Sequence, residues 1–127
     1  MSVSQVQDSL QYTFAIRKAV FGIHDTLSAS VTAFNQSAEP ETLIVSIGNF
    51  QWSLKNDSGR TLMSGPERYP LTQYPIARLI FKSHQSNEIF EVYQAITDTS
   101  GAPVIAGSYM LQCLYGSMLF TLDLSLQ

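Results

Sequence analysis

The residues able to do chemistry are few and scattered. A hydrolase needs a nucleophile within reach of a base, and the only imidazoles are His24 and His84. Both fall in stretches that read as loops, and neither lies near a Gly-x-Ser-x-Gly elbow or a cysteine in a cationic setting. The single cysteine, Cys113, has no partner for an internal disulfide and sits in an alternating apolar run, so it reads as a buried small hydrophobe. Zinc wants three or four His, Cys or carboxylate ligands closely spaced, and two His with one Cys spread over the chain do not supply them. Glu88 and Glu91 are the nearest acidic pair on one element, and a regular strand would put them on opposite faces, which argues against a two-carboxylate glycosidase. Gly101 to Gly107 lacks the lysine and the following helix of a phosphate loop. Asn35-Gln36-Ser37 and Asn56-Asp57-Ser58 fit the short N-glycosylation pattern, in turns where a glycan would have room. No cofactor and no metal are expected, and the chain does not read as an enzyme.

The one stretch whose composition suits recognition is Gly65 to Pro75, which carries Pro66, Pro70 and Pro75 with Glu67, Arg68, Tyr69 and Tyr74. Proline cannot donate to a sheet ladder, and tyrosine and arginine are favoured at contact surfaces. Glu67, Arg68, Tyr69 and Tyr74 are therefore the expected binding residues. The competing structural reading is a crossover between sheets with Tyr69 and Tyr74 packed on the core.

What positions such a loop is a set of strands. Apolar side chains recur with period two at Leu10, Tyr12, Phe14 and Ile16, again at Leu27, Ala29, Val31 and Ala33, and again at Phe50, Trp52 and Leu54. Tyr109, Leu111, Cys113 and Tyr115 continue the pattern, as do Met118, Phe120, Leu122, Leu124 and Leu126. Shorter strands are predicted at Thr42 to Ile47, Thr61 to Ser64, Ile76 to Lys82 and, less cleanly alternating, Ile89 to Ile96. Lys18 to Ile23 extends the first strand or forms a short one of its own. Asn35 to Pro40, Asn56 to Gly59 and Thr97 to Gly101 read as turns. Helical spacing is sustained nowhere. About eight strands with regular turn signals predict an all-β, antiparallel sandwich.

At 127 residues the chain suits one domain, 1–127, with one sizeable core. Apolar residues at 45% against 13% charged exclude a disordered or long-helical chain. A net charge of −3 with seven dispersed Lys and Arg leaves no basic footprint for nucleic acid. No apolar run approaches the roughly 20 residues that cross a bilayer, and Met1 to Gln11 is too polar for a signal peptide. The chain as it stands is thus expected to be cytoplasmic, with export of a longer precursor left open.

From about Leu27 to Leu114 the sequence resembles the BsuPI-like intracellular proteinase inhibitor domain, a small immunoglobulin-like β-sandwich. The resemblance is carried by the strand, turn and Glu-Pro hairpin from Leu27 to Leu43, and by the aromatic strand Phe50-Gln51-Trp52-Ser53-Leu54 running into Asn56-Asp57-Ser58-Gly59. Thr72-Gln73 adds a short match, and Gly101-Ala102-Pro103-Val104-Ile105-Ala106-Gly107-Ser108-Tyr109 matches a Gly-x-Pro-x-x-x-Gly-x-Tyr strand entry. In this entry Pro fixes φ, Gly supplies backbone closed to other residues and the aromatic pins the new strand. The chain departs from the pattern at Thr61-Leu62-Met63, Pro70-Leu71 and Tyr93, where other aromatics or Met-Phe would stand. The resemblance implies an immunoglobulin-like fold and a protein partner, with a serine protease as the partner class. The expected function is a non-catalytic protein-binding module, with proteinase inhibition as one form of it. Two alternatives are an assembly domain pairing through sheet edges, which would admit a homo-oligomer, and a carbohydrate or small-ligand binder using Phe34, Tyr93 and Tyr115.

Overall fold

The computed structural model describes residues 1–65 and 76–127. Their strands are β1 (Ser2–Gln7), β2 (Leu10–Ile16), β3 (Val20–Phe21), β4 (Thr26–Asn35), β5 (Glu41–Ser46), β6 (Phe50–Asn56), β7 (Thr61–Gly65), β8 (Ile76–Phe81), β9 (Ser86–Ala95), β10 (Gly107–Tyr115) and β11 (Met118–Leu126). Two sheets, ordered β1-β2-β4-β9 and β3-β11-β10-β6-β7, are accompanied by a separate two-stranded ribbon, β5-β8. All pairs are antiparallel except β3 with β11, where Val20 and Phe21 run parallel to Ser125 and Leu126.

The alternation read from the sequence becomes the packing. β2 and β4 each bury every second side chain, and so do β6, β10 and β11. Aromatic pairs then show that the two sheets face one another. Phe50 of β6 stacks on Phe90 of β9 with ring centroids 4.3 Å apart, Tyr12 of β2 meets Tyr115 of β10 at 5.4 Å, and Phe14 of β2 meets Phe120 of β11 at 6.1 Å. Such offset and tilted contacts add to the large apolar area each ring buries. Phe14, Phe50, Trp52, Phe81, Phe90, Tyr109 and Phe120 all lie in this one core.

With β2, β4 and β9 taken as strands A, B and E, and β6, β7, β10 and β11 as C, C′, F and G, the strand order is that of an immunoglobulin-like sandwich. The entry to β10 agrees. Tyr109 donates its hydroxyl to the Ile105 carbonyl at 2.6 Å, the tyrosine corner that closes the turn before strand F in such folds. Gly101, at φ +83°, supplies the left-handed residue that this turn requires.

The eleven strands among the described residues exceed the count of about eight, and β1 is the one that corresponds to no stretch read as a strand. β1 carries only Val3 and Val6 among polar residues, too few to register as an alternating face, and it forms by pairing along β2 from Ser2 opposite Ala15 to Gln7 opposite Leu10. No helix among the described residues is long and apolar enough to cross a membrane.

Candidate binding surface

Glu67, Arg68, Tyr69 and Tyr74 lie outside the described residues. The surface that stands out among the described ones is the ribbon formed by β5 and by β8, which follows those four in sequence. In β5 and β8 the paired residues are Glu41 with Phe81, Thr42 with Ile80, Leu43 with Leu79, Ile44 with Arg78, Val45 with Ala77 and Ser46 with Ile76. Directly paired residues share a face. One face therefore presents Leu43, Val45, Leu79 and Phe81, of which Val45 and Phe81 are buried and Leu43 and Leu79 pack against the core. The other presents Thr42, Ile44, Ser46, Ile76, Arg78 and Ile80. Its three isoleucines are 61%, 65% and 62% exposed at Ile44, Ile76 and Ile80. Neither strand pairs with a third among the described residues.

The ribbon is held from below and at one end. Asn35, wholly buried at the end of β4, donates its amide to the carbonyls of Phe81, Lys82 and Glu39 at 2.8–3.3 Å. Its own Oδ1 accepts from the backbone N–H and hydroxyl of Ser37. In the folded chain this side chain has no exposed atom. The same local geometry recurs at Asn56, whose Oδ1 accepts from the N–H and hydroxyl of Ser58, and at Asp98 with Ser100. The Asn-x-Ser pattern in this chain thus serves Asx turns, which satisfy backbone donors locally.

The turn after β6 is locked to the turn before β10. Arg60 forks onto Asp98, with Nη2 to Oδ2 at 2.6 Å and Nη1 to Oδ1 at 3.4 Å, while Thr99 donates to the Leu62 carbonyl. The Arg60 guanidinium, followed by the two hydrogen bonds from Ser100, holds the Asp98 carboxyl well below the usual carboxylate range. Gly65 at the end of β7 is obligatory for packing, because a Cβ there would stand 2.6–2.9 Å from the Trp52 indole.

Other candidates from the sequence resolve as follows. Glu88 and Glu91 lie on the same face, contrary to the alternation argument. β9 carries a bulge: Val31 pairs with Phe90 and Thr32 with Glu88, so Ile89 is the extra residue, and it restores Glu88 to the side of Glu91. With Arg17 and Ser30 they border a shallow depression of about 230 Å³ on the outside of the first sheet. Tyr115 is buried and belongs to the core, while Tyr93 is half exposed and Phe34 half buried beside the His84 ring. His24 and His84 are exposed in turns. Cys113 is fully buried, and burial pushes its thiol up to about 12, which leaves no thiolate for chemistry near neutral pH. No group of three or more His, Cys, Asp or Glu placed to hold a metal occurs among the described residues. An open groove of about 510 Å³ crosses the outside of the second sheet between Gln51, Gln112, Leu114 and Leu119.

The exposed isoleucine face did have a trace in the sequence. Leu43-Ile44-Val45 and Leu79-Ile80-Phe81 place apolar residues at both parities, so an independent ribbon buried on one side must leave some of them in water.

No family model matches the chain, and no curated protein matches it. Solved structures resemble it in fold. A β-glucosidase of Erythrobacter marinus superposes with a TM-score of 0.55 at 12% identity over 94% of this chain. The alkylpurine DNA glycosylase AlkC of Pseudomonas fluorescens, bound to DNA containing an abasic site analog, gives 0.53 at 10% over 94%. A mutant β-glucosidase of Listeria innocua in complex with laminaribiose gives 0.52 at 10% over 98%. The chain spans 15%, 30% and 16% of the lengths of these three proteins. At such identity the likeness is one of fold, a β-sandwich of this kind occurring as part of larger proteins.

Proposed function

We propose that this domain is a non-catalytic protein-binding module whose contact surface is the outer face of the β5-β8 ribbon. The observation that carries the reading is the grouping of Ile44, Ile76 and Ile80 on one face of an element whose other face is anchored in the core. Isolated exposed aliphatics are ordinary on any protein, whereas contiguous apolar patches framed by polar residues mark interaction sites. The anchoring by Phe81, Val45 and Asn35 keeps the face rigid before it binds, which reduces the ordering cost of association.

The experiment compares immobilised wild-type domain with the Ile44→Ser/Ile80→Ser double variant, each incubated with lysate of the source organism and analysed by mass spectrometry. Proteins retained by the wild type and lost with the variant are expected. Identical retained sets would remove the ribbon from the binding function. Arg68→Ala/Tyr69→Ala, run in parallel, tests the segment that sequence composition singles out. Proteinase inhibition, which the family resemblance implies, is tested against a subtilisin-type serine protease; full protease activity at micromolar excess of the domain would discard the inhibitor form and leave the binding module.

A further inference from the structure

Resting on that reading, we infer that the ribbon face receives an apolar segment of a different protein carrying a carboxylate at its centre, and not a second copy of this chain. Arg78 stands directly across from Ile44, with Ile76 and Ile80 two residues away on either side of it along β8. Thr42 and Ser46 close the two ends, opposite Ile80 and Ile76. Arg78 is exposed, and neither ion pair of the described residues involves it.

A guanidinium flanked by branched aliphatics on three sides constrains whatever covers it. A partner of hydrocarbon alone would strip water from the cation and return nothing, which is costly. A carboxylate answers both the charge and the planar fork of donors, so it is the group a partner must bring into the middle of its apolar surface. Self-association fails the same test. A two-fold contact sets the same patch against itself, and this patch spans only three rows of residues, so the two Arg78 side chains would meet within a row or two. Among the described residues the face offers no carboxylate of its own: Glu41 lies on the opposite face of the ribbon, paired with Phe81. Strands of six residues make a contact below the usual size of a stable interface, so affinity in the micromolar range is expected.

The test pans a phage-displayed library of random peptides on the immobilised wild-type domain and keeps only clones that do not bind Ile44→Ser/Ile80→Ser. Retained clones should combine Ile, Leu, Val or Phe with Asp or Glu. As synthetic peptides they should lose about tenfold or more in affinity when Arg78 is changed to Gln, and equally when their own acid is changed to its amide. The free domain should sediment as a monomer. Ribbon-dependent clones without an acid, or binding Arg78→Gln as well as wild type, would overturn the carboxylate inference while leaving the ribbon as a protein-binding face. Absence of any ribbon-dependent clone would overturn both. A dimer in sedimentation that Ile44→Ser/Ile80→Ser dissolves would put a second copy on the face and overturn the inference outright. Should the double variant fail to fold, Ile80→Thr provides the counter-selection.

Discussion

Two pairs of antiparallel strands, β6-β7 at the edge of the second sheet and β5-β8 apart from both sheets, are finished in opposite ways. At β6-β7 the connecting turn and the end of β7 are closed, although an open groove crosses the outer face. Asn56 Oδ1 takes the N–H groups of Ser58 and Arg60, Arg60 forks onto Asp98, and the Trp52 ring fills the space over Gly65. At β5-β8 only the underside is closed, by Val45, Phe81 and the Asn35 amide, and three isoleucines are left in water above it. The turn of the first pair is tied down by its own hydrogen bonds and by the Arg60–Asp98 pair. The second pair is equally well anchored but keeps uncovered apolar surface and a cation without a counterion among the described residues. Under the function proposed here, what marks the ribbon is what its outward residues lack, not its place at the rim.

The comparison breaks most visibly if the ribbon's underside does not hold it. Phe81 is fully buried there, and Phe81→Ala should cost about 3–5 kcal/mol in urea unfolding, the usual range for a large ring deleted from a core. A loss below roughly 1 kcal/mol would show that the ribbon is not seated on the core.

On the closed pair, Gly65→Ala would drive a methyl group into the Trp52 indole, a packed ring that cannot swing aside cheaply. A destabilisation of about 1–3 kcal/mol is expected, with a shift of Trp52 emission. Unchanged Tm and emission together would mean that the indole does not lie against Gly65.

The Arg60–Asp98 clamp sharpens the comparison through pH. The folded carboxyl titrates below its ordinary 3.8. Between those two values the unfolded chain binds more protons, so stability rises with pH. The contribution is complete above about pH 5 and fades as the pH falls further. Asp98→Asn should lower Tm at neutral pH and flatten the decline of Tm on acidification below about pH 4. An equally steep acid decline in the variant would place the responsible carboxylate elsewhere.

The smallest effect is expected beside the largest. Ile80 adjoins Phe81 but points to the open face, so Ile80→Thr should change stability by no more than about 0.5 kcal/mol while weakening ribbon-dependent binding. A loss of stability approaching that of Phe81→Ala would show that the isoleucine face is covered in the folded chain and would end its candidacy as a contact surface.

The sequence by itself determined the strands that alternate without interruption. Leu10 to Ile16, Leu27 to Ala33, Tyr109 to Tyr115 and Met118 to Leu126 state which side of each strand is apolar, because period two is written locally in every such segment. The aromatic core and the corner at Tyr109 follow from the same local chemistry of alternation, proline and glycine. Tertiary structure alone decided the relations between segments. Ser2 to Gln7 is polar enough to be read as a tail and becomes a strand only when β2 offers its edge. Glu88 and Glu91 share a face because a bulge at Ile89 shifts the register against β4, of which the sequence of β9 shows only an imperfect alternation. The two Asn-x-Ser sequences look alike until the structure shows both side-chain oxygens closing Asx turns and the Asn35 amide buried on three carbonyls. In Leu43-Ile44-Val45 the apolar content was plain, but which residues are covered depended on whether a second layer lies above the ribbon. Burial is a property of the space between elements, and a pattern inside one element can state its two faces without stating which of them the rest of the chain will cover.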